Sequence, residues 1–93
     1  MAKIKGKTYE LWAYGYNKNE EITDYDEYLA EFPHTDKGLE DALQLLREVK
    51  LETLRLDGFD NVDSICLVVE EVFEFPNGET SAQEVKGTRW LQR

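Results

Sequence analysis

Three features of this sequence predict an α+β fold. It would comprise a mainly antiparallel three- or four-stranded sheet, one or two helices packed on one face, and a long C-terminal β-hairpin. The first feature is an aromatic and β-branched run, Lys7 to Tyr16, closed by the turn signal of Asn17 and Asn19. The second is an apolar stripe at helical spacing: Leu39, Ala42, Leu43, Leu46 and Val49. The third is Asn77-Gly78, a favoured two-residue hairpin turn, set between β-rich runs at 64–75 and 80–92. A length of 93 residues suits one small domain spanning 1–93, and 11 aromatic residues are more than a disordered acidic chain carries.

On a strand, Trp12, Tyr14 and Tyr16 share one face, while Tyr9, Leu11 and Ala13 share the other. Both faces are apolar, which marks an inner strand or one covered by the chain that follows. Asp24 to Phe32 then reads as a short helix. Thr23 or Asp24 caps it, and Asp26 and Glu27 suit its positive end. Tyr25, Tyr28, Leu29 and Phe32 form its stripe, and Pro33 stops it. The second helix starts at Thr35 or Asp36 and runs through Lys50, with Arg47 and Lys50 at its negative end. Gly38 weakens its first turn by about 1 kcal/mol relative to alanine.

Leu51 to Leu56 is compatible with a short strand ended by Asp57-Gly58, and residues 60–63 read as loop. If Asn77 and Gly78 are the two loop residues of the hairpin, Phe73 faces Ala82, Val69 faces Lys86, Leu67 faces Thr88 and Ile65 faces Trp90. Glu71 then faces Glu84, an unfavourable pairing of like charges that a bulge near Glu70-Glu71 would relieve.

Charge is distributed unevenly. Residues 19–84 carry 19 Asp/Glu against Lys37, Arg47, Lys50 and Arg55, a balance of −15, while residues 1–18 and 85–93 each carry +3. If the first and last strands lie close together, that positive charge gathers on one edge. The acidic middle repels nucleic acid and anionic membrane and attracts basic protein surfaces. No apolar segment follows the basic N-terminal residues, and the longest apolar run is Ile65 to Val69. The lone Cys66 forms no intrachain disulfide and reads as a small buried hydrophobe. A cytosolic (cytoplasmic) protein is expected.

Catalytic constellations are sparse. His34 is the only histidine, a Cys66–His34 pair would join a buried strand residue to a loop, and no nucleophile-elbow or phosphate-loop pattern occurs. Asp24, Asp26 and Glu27, and also Asp57, Asp60, Asn61 and Asp63, are oxygen-rich groups. The second fails the EF-hand pattern, with Phe59 at its third position, and capping or solvated acids account for both. Glu71 and Glu84 could share a proton only in the assumed register. No catalytic residue, metal or cofactor is expected, nor an enzyme.

The positive expectation is a small acidic interaction domain engaging a basic protein partner, with neither nucleic acid nor membrane bound directly. Its concrete form is an inhibitor that mimics nucleic acid and occupies a partner's nucleic-acid-binding surface, as phage or mobile-element anti-defence proteins do. Glu20, Glu21, Asp24, Asp26, Glu27 and Glu31 would supply the field, and Tyr25 or Tyr28 the aromatic anchor. The alternatives are a self-associating (homo-oligomeric) or housekeeping domain, or a small-ligand module.

Overall fold

A computed structural model describes residues 6–78 and 80–93. Strands β1 (Gly6–Tyr16), β2 (Ile22–Pro33), β3 (Ser64–Glu74) and β4 (Thr80–Gln92) form one antiparallel sheet in the order β2-β1-β3-β4. One helix, α1 (Asp36–Glu48), packs on one face, so the fold is the expected α+β arrangement with its C-terminal hairpin. β1 and β3 are the inner strands, as their apolar character on both faces requires. No helix among the described residues is long and apolar enough to cross a membrane.

The segment expected to be a first helix is an edge strand. Residues 24–32 lie within β2, and their apparent helical stripe is an alternating pattern with a phase slip. β1 and β2 shift register where Leu11 pairs with Ala30 but Trp12 pairs with Tyr28, so Leu29 is an extra residue in β2. Before the slip, odd-numbered Tyr25 faces the helix side; after it, even-numbered Phe32, opposite Tyr9, does so. Thr23 does not cap a helix. Its hydroxyl donates to the Gly15 carbonyl at 2.9 Å and tethers β2 to β1. Pro33 ends the strand at the sheet margin, where its missing N–H costs no ladder bond.

Between the sheet and α1 lies a core of Leu11, Ala13, Tyr25, Ala42, Leu46, Val62, Ile65, Leu67 and Val69, closed by Val49, Leu54 and Leu56. The proposed strand at 51–56 is instead a single 3-10 turn, Leu51–Thr53, followed by extended coil that brings Leu54 and Leu56 inward. α1 begins at Thr35, whose hydroxyl oxygen accepts from the Gly38 N–H at 2.9 Å. Its C-terminus is held from outside the helix. Arg89 of β4 donates to the Leu46, Arg47 and Val49 carbonyls at 3.1, 2.9 and 2.8 Å, placing positive charge at the negative end of the dipole.

The C-terminal hairpin contains the expected irregularity, and its details differ from a two-residue loop. A turn from Phe75 to Gly78, with Gly78 at φ 86°, precedes the first β4 pair, Glu74 with Thr80. Glu71 does face Glu84, and register shifts bracket Glu70-Glu71 on both sides. The paired residues therefore become Phe73 with Ser81, Val69 with Gly87, Leu67 with Arg89 and Ile65 with Leu91. Nor do the basic ends gather on one edge: β3 separates β1 from β4, while Lys3 and Lys5 lie outside the described residues.

Gly38 supplies a test of the packing at the start of α1. Glycine-to-alanine changes inside helices ordinarily stabilise. Here a Cβ would lie 1.8 Å from the Pro33 backbone carbonyl oxygen, so the helix would have to lift away from the end of β2. Gly38→Ala is expected to lower stability by about 1–3 kcal/mol in urea unfolding. A stabilised variant would contradict this packing.

Candidate functional site

The sheet has two unlike faces. Register places Trp12, Tyr14 and Tyr16 away from α1, along with the residues paired to them on either side. Reading from β2 to β4, one outward row is Glu31, Glu10, Glu70 and Val85. The next is Tyr28, Trp12, Val68 and Thr88, followed by Asp26, Tyr14, Cys66 and Trp90, then Ile22, Tyr16, Ser64 and Gln92. No lysine or arginine stands in these four rows. No described helix covers them either, since α1 and the Tyr25–Phe59 contact lie on the other side.

Aromatic rings do part of the work of a missing layer. Val68 and Cys66 are buried although they point outward. Around them, Trp12 stacks with Tyr14 at 6.0 Å, Tyr28 meets Trp12 edge-on at 5.5 Å, and Tyr16 contacts Trp90 at 5.2 Å. Tyr28 and Trp90 nevertheless remain 46% and 52% exposed, and Ile22 and Val85 are also exposed. The face therefore keeps a substantial apolar and aromatic surface open to solvent.

Glu31, Glu10 and Glu70 sit directly beside one another across three strands, an arrangement like charges disfavour. Each is stabilised by an aromatic donor. Trp12 Nε1 donates to Glu10 at 2.7 Å, the Tyr14 hydroxyl to Glu70 at 3.0 Å, and the Tyr28 hydroxyl to Glu31 at 3.2 Å. Burial, reinforced by the Glu70 charge and hydrogen bond, raises the Tyr14 hydroxyl pKa well above its ordinary value. Burial and Glu31 push Tyr28 in the same direction. These phenols therefore stay protonated donors toward Glu70 and Glu31.

The residues singled out from the sequence divide between the two faces. Asp26, Tyr28 and Glu31 point outward from β2, Asp24 is exposed on the same strand, and Glu20 and Glu21 are exposed where β1 turns into β2. Tyr25 and Glu27 lie on the helix side. Tyr25 is 2% exposed, packs edge-on against Phe59, and donates from its hydroxyl to Glu27 at 2.7 Å. Glu27 also accepts from the Arg55 backbone N–H at 2.7 Å, pinning the loop after α1. Tyr25 is therefore a core residue, and the aromatic groups available at the surface are Tyr28, Trp12, Tyr16 and Trp90. Trp12, Tyr14 and Tyr16 could be assigned to one strand face from the sequence, but their neighbours on β2 and β4 could not.

On the helix side, His34 stacks on Tyr9 at 4.8 Å and its Nε2 lies 2.7 Å from Glu71 Oε2. Glu84, opposite Glu71, pairs instead with Lys86 at 3.0 Å. The His34 hydrogen bond holds the Glu71 carboxyl below its ordinary value, so Glu71 and Glu84, although paired across the strands, each take a separate partner. Cys66 is on the opposite face from His34, and burial pushes its thiol up, away from the reactive thiolate. Among the described residues, no three His, Cys, Asp or Glu side chains converge as a metal site would require. No known protein family, curated protein or solved structure matches this chain.

The depressed Glu71 pKa fixes the sign of one pH effect. A carboxyl that binds protons less readily when folded stabilises the fold above the unfolded carboxylate pKa, and that contribution disappears as pH falls through the folded value. Glu71→Gln is expected to lose less stability than the wild-type chain between neutral pH and about pH 3, measured by urea unfolding across that range. Identical pH profiles would show that the His34–Glu71 contact contributes nothing to folding.

Proposed function

We propose that the chain is a non-enzymatic interaction domain whose open sheet face binds a basic segment of a partner protein. One observation carries this reading: the uncovered face combines exposed aromatic rings with carboxylates and has no positive charge in its four central rows. Carboxylates of one sign steer a basic surface toward the face, and rings supply the apolar contact that holds it once water leaves. Arginine suits both, because its planar guanidinium pairs with carboxylates and stacks on aromatic faces.

The charge that favours a basic protein disfavours nucleic acid, whose phosphates would meet Glu10, Glu31, Glu70 and Asp26. It also opposes self-association through this face, which would bring two sets of carboxylates together. The inhibitor form of the proposal follows from the same chemistry. A partner surface built for phosphates would accept these carboxylates, and the rings would add apolar contact that a phosphate backbone lacks. Competition by DNA or RNA for the same partner would distinguish that form from other basic-partner binding.

The test uses an oligo-arginine peptide as the probe, titrated by calorimetry at low and high salt. The double variant Asp26→Lys/Glu31→Lys reverses charge on the open face, and Glu48→Lys/Glu52→Lys makes the same net change in the helix layer. Binding should weaken about tenfold or more in the first variant and much less in the second, a difference of roughly 1.4 kcal/mol or more. Equal losses would mean that net charge alone attracts the peptide.

A further inference from the structure

The turn joining β1 to β2 carries an unexpected residue. The Glu20 N–H donates to the Asn17 carbonyl at 3.0 Å, and the Asn17 N–H donates to the Glu21 carbonyl at 2.9 Å. The Asn17 side-chain oxygen accepts from the Asn19 and Glu21 N–H groups at 2.9 and 3.0 Å. A three-residue hairpin loop of this kind ends with a residue in the left-handed region, a position that favours glycine. Glu20 occupies it with φ 62°, the one non-glycine residue with positive φ among those described. Asn17 makes the side-chain bonds that close the turn, and no described residue bonds the Glu20 carboxylate.

What Glu20 does border is an open groove of about 470 Å³ at one end of the uncovered face, lined also by Tyr16, Ser64, Trp90 and Gln92. Tyr16 and Trp90 meet at 5.2 Å with their planes tilted by 54°, giving the groove an angled aromatic wall. Ser64 and Gln92 are paired across β3 and β4, so a hydroxyl and an amide lie side by side in the lining. A carboxylate, two electron-rich rings and two neutral oxygen acceptors suit a flat cation with several N–H donors.

We propose that this groove seats the guanidinium of an arginine from the basic partner, with Tyr16 and Trp90 as its aromatic wall and Glu20 as its counter-ion. The assignment rests on the reading of the open face as a basic-partner surface and names the side chain recognised at one end of it. A guanidinium suits the site better than an ammonium because it stacks flat while presenting donors around its rim to Glu20, Ser64 and Gln92. It also gives the carboxylate at a glycine-favouring position a role in binding that it lacks in folding.

Trp12 and Trp90 are the two tryptophans, so a Trp12→Phe background leaves Trp90 as the sole indole reporter. Oligo-arginine added to that parent should change Trp90 emission. In the same background, Glu20→Gly should keep or raise Tm, because glycine relieves the left-handed backbone, while weakening the peptide about fivefold. Glu20→Gln retains the backbone cost but removes the charge and should weaken binding similarly. Oligo-lysine should bind less tightly and respond less to either variant. Parent-like binding by both Glu20 variants, with Trp90 emission unmoved by peptide, would overturn the groove assignment. If Asp26→Lys/Glu31→Lys still weakened the peptide in that case, the open-face reading would survive alone. Equal sensitivity toward oligo-lysine would overturn the choice of a guanidinium, and absence of oligo-arginine binding to the wild-type chain would overturn both readings.

Discussion

A single helix can cover only one face of a four-stranded sheet, and most of this molecule follows from how the second face is finished. The protein measures 42 × 27 × 19 Å, and its shortest dimension suits one sheet and one helix layer. Outward-pointing Val68 and Cys66 on the inner strand β3 would face water with no layer above them. Trp12, Tyr14, Tyr28, Tyr16 and Trp90 lie around them as a partial cover. Rings of that size bury much apolar area per residue, which a short chain with one helix needs. They also leave an aromatic surface that water wets poorly.

The carboxylates manage that surface. Without them, an exposed aromatic sheet face with open edges would invite aggregation. Placing Glu31, Glu10 and Glu70 side by side introduces repulsion, and three aromatic donors reduce its effect within the fold. Asp24 and Asp26 add charge to edge strand β2, where it discourages another strand from pairing. The groups that oppose aggregation are therefore the same ones on which the proposed recognition of a basic partner rests. The charges keep like surfaces apart, and the combination of rings and acids remains attractive to a surface of opposite sign.

Elements whose signal is local were legible in the sequence: the two faces of β1, the stripe of α1 and the irregular hairpin around Glu70-Glu71. β2 was not. Its bulge at Leu29 moves the helix-facing set from odd to even numbers, so Tyr25, Leu29 and Phe32 imitate helical spacing while lying on an extended strand. The candidate site was partly legible for the same reason. Its acids from β2 could be named, but Tyr25 and Tyr28 were equivalent as stripe residues and are on opposite faces of a strand. The Tyr16–Trp90 wall joins residues 74 positions apart through two inner-strand pairings, and no local pattern encodes that contact. The left-handed backbone of Glu20 was likewise invisible, because glutamate is not a residue that announces such a turn.

The charges that remain positive strengthen the distinction between faces. Arg89 points toward α1 and caps its carbonyls, Lys86 is paired with Glu84, and Lys7 lies 5.0 Å from the centre of the Phe73 ring. Arg93 donates to the Phe59 and Val62 carbonyls and secures the loop before β3. Arg89 and Arg93 hold the helix layer and the loop before β3 to the sheet, Lys86 and Lys7 are engaged within the sheet, and none of the four stands in the outward rows beside their carboxylates. A basic partner approaching from outside therefore encounters opposite charge at the face where the rings are exposed. The requirement to finish the sheet with one helix thus places apolar contact and electrostatic attraction on the same side of the molecule.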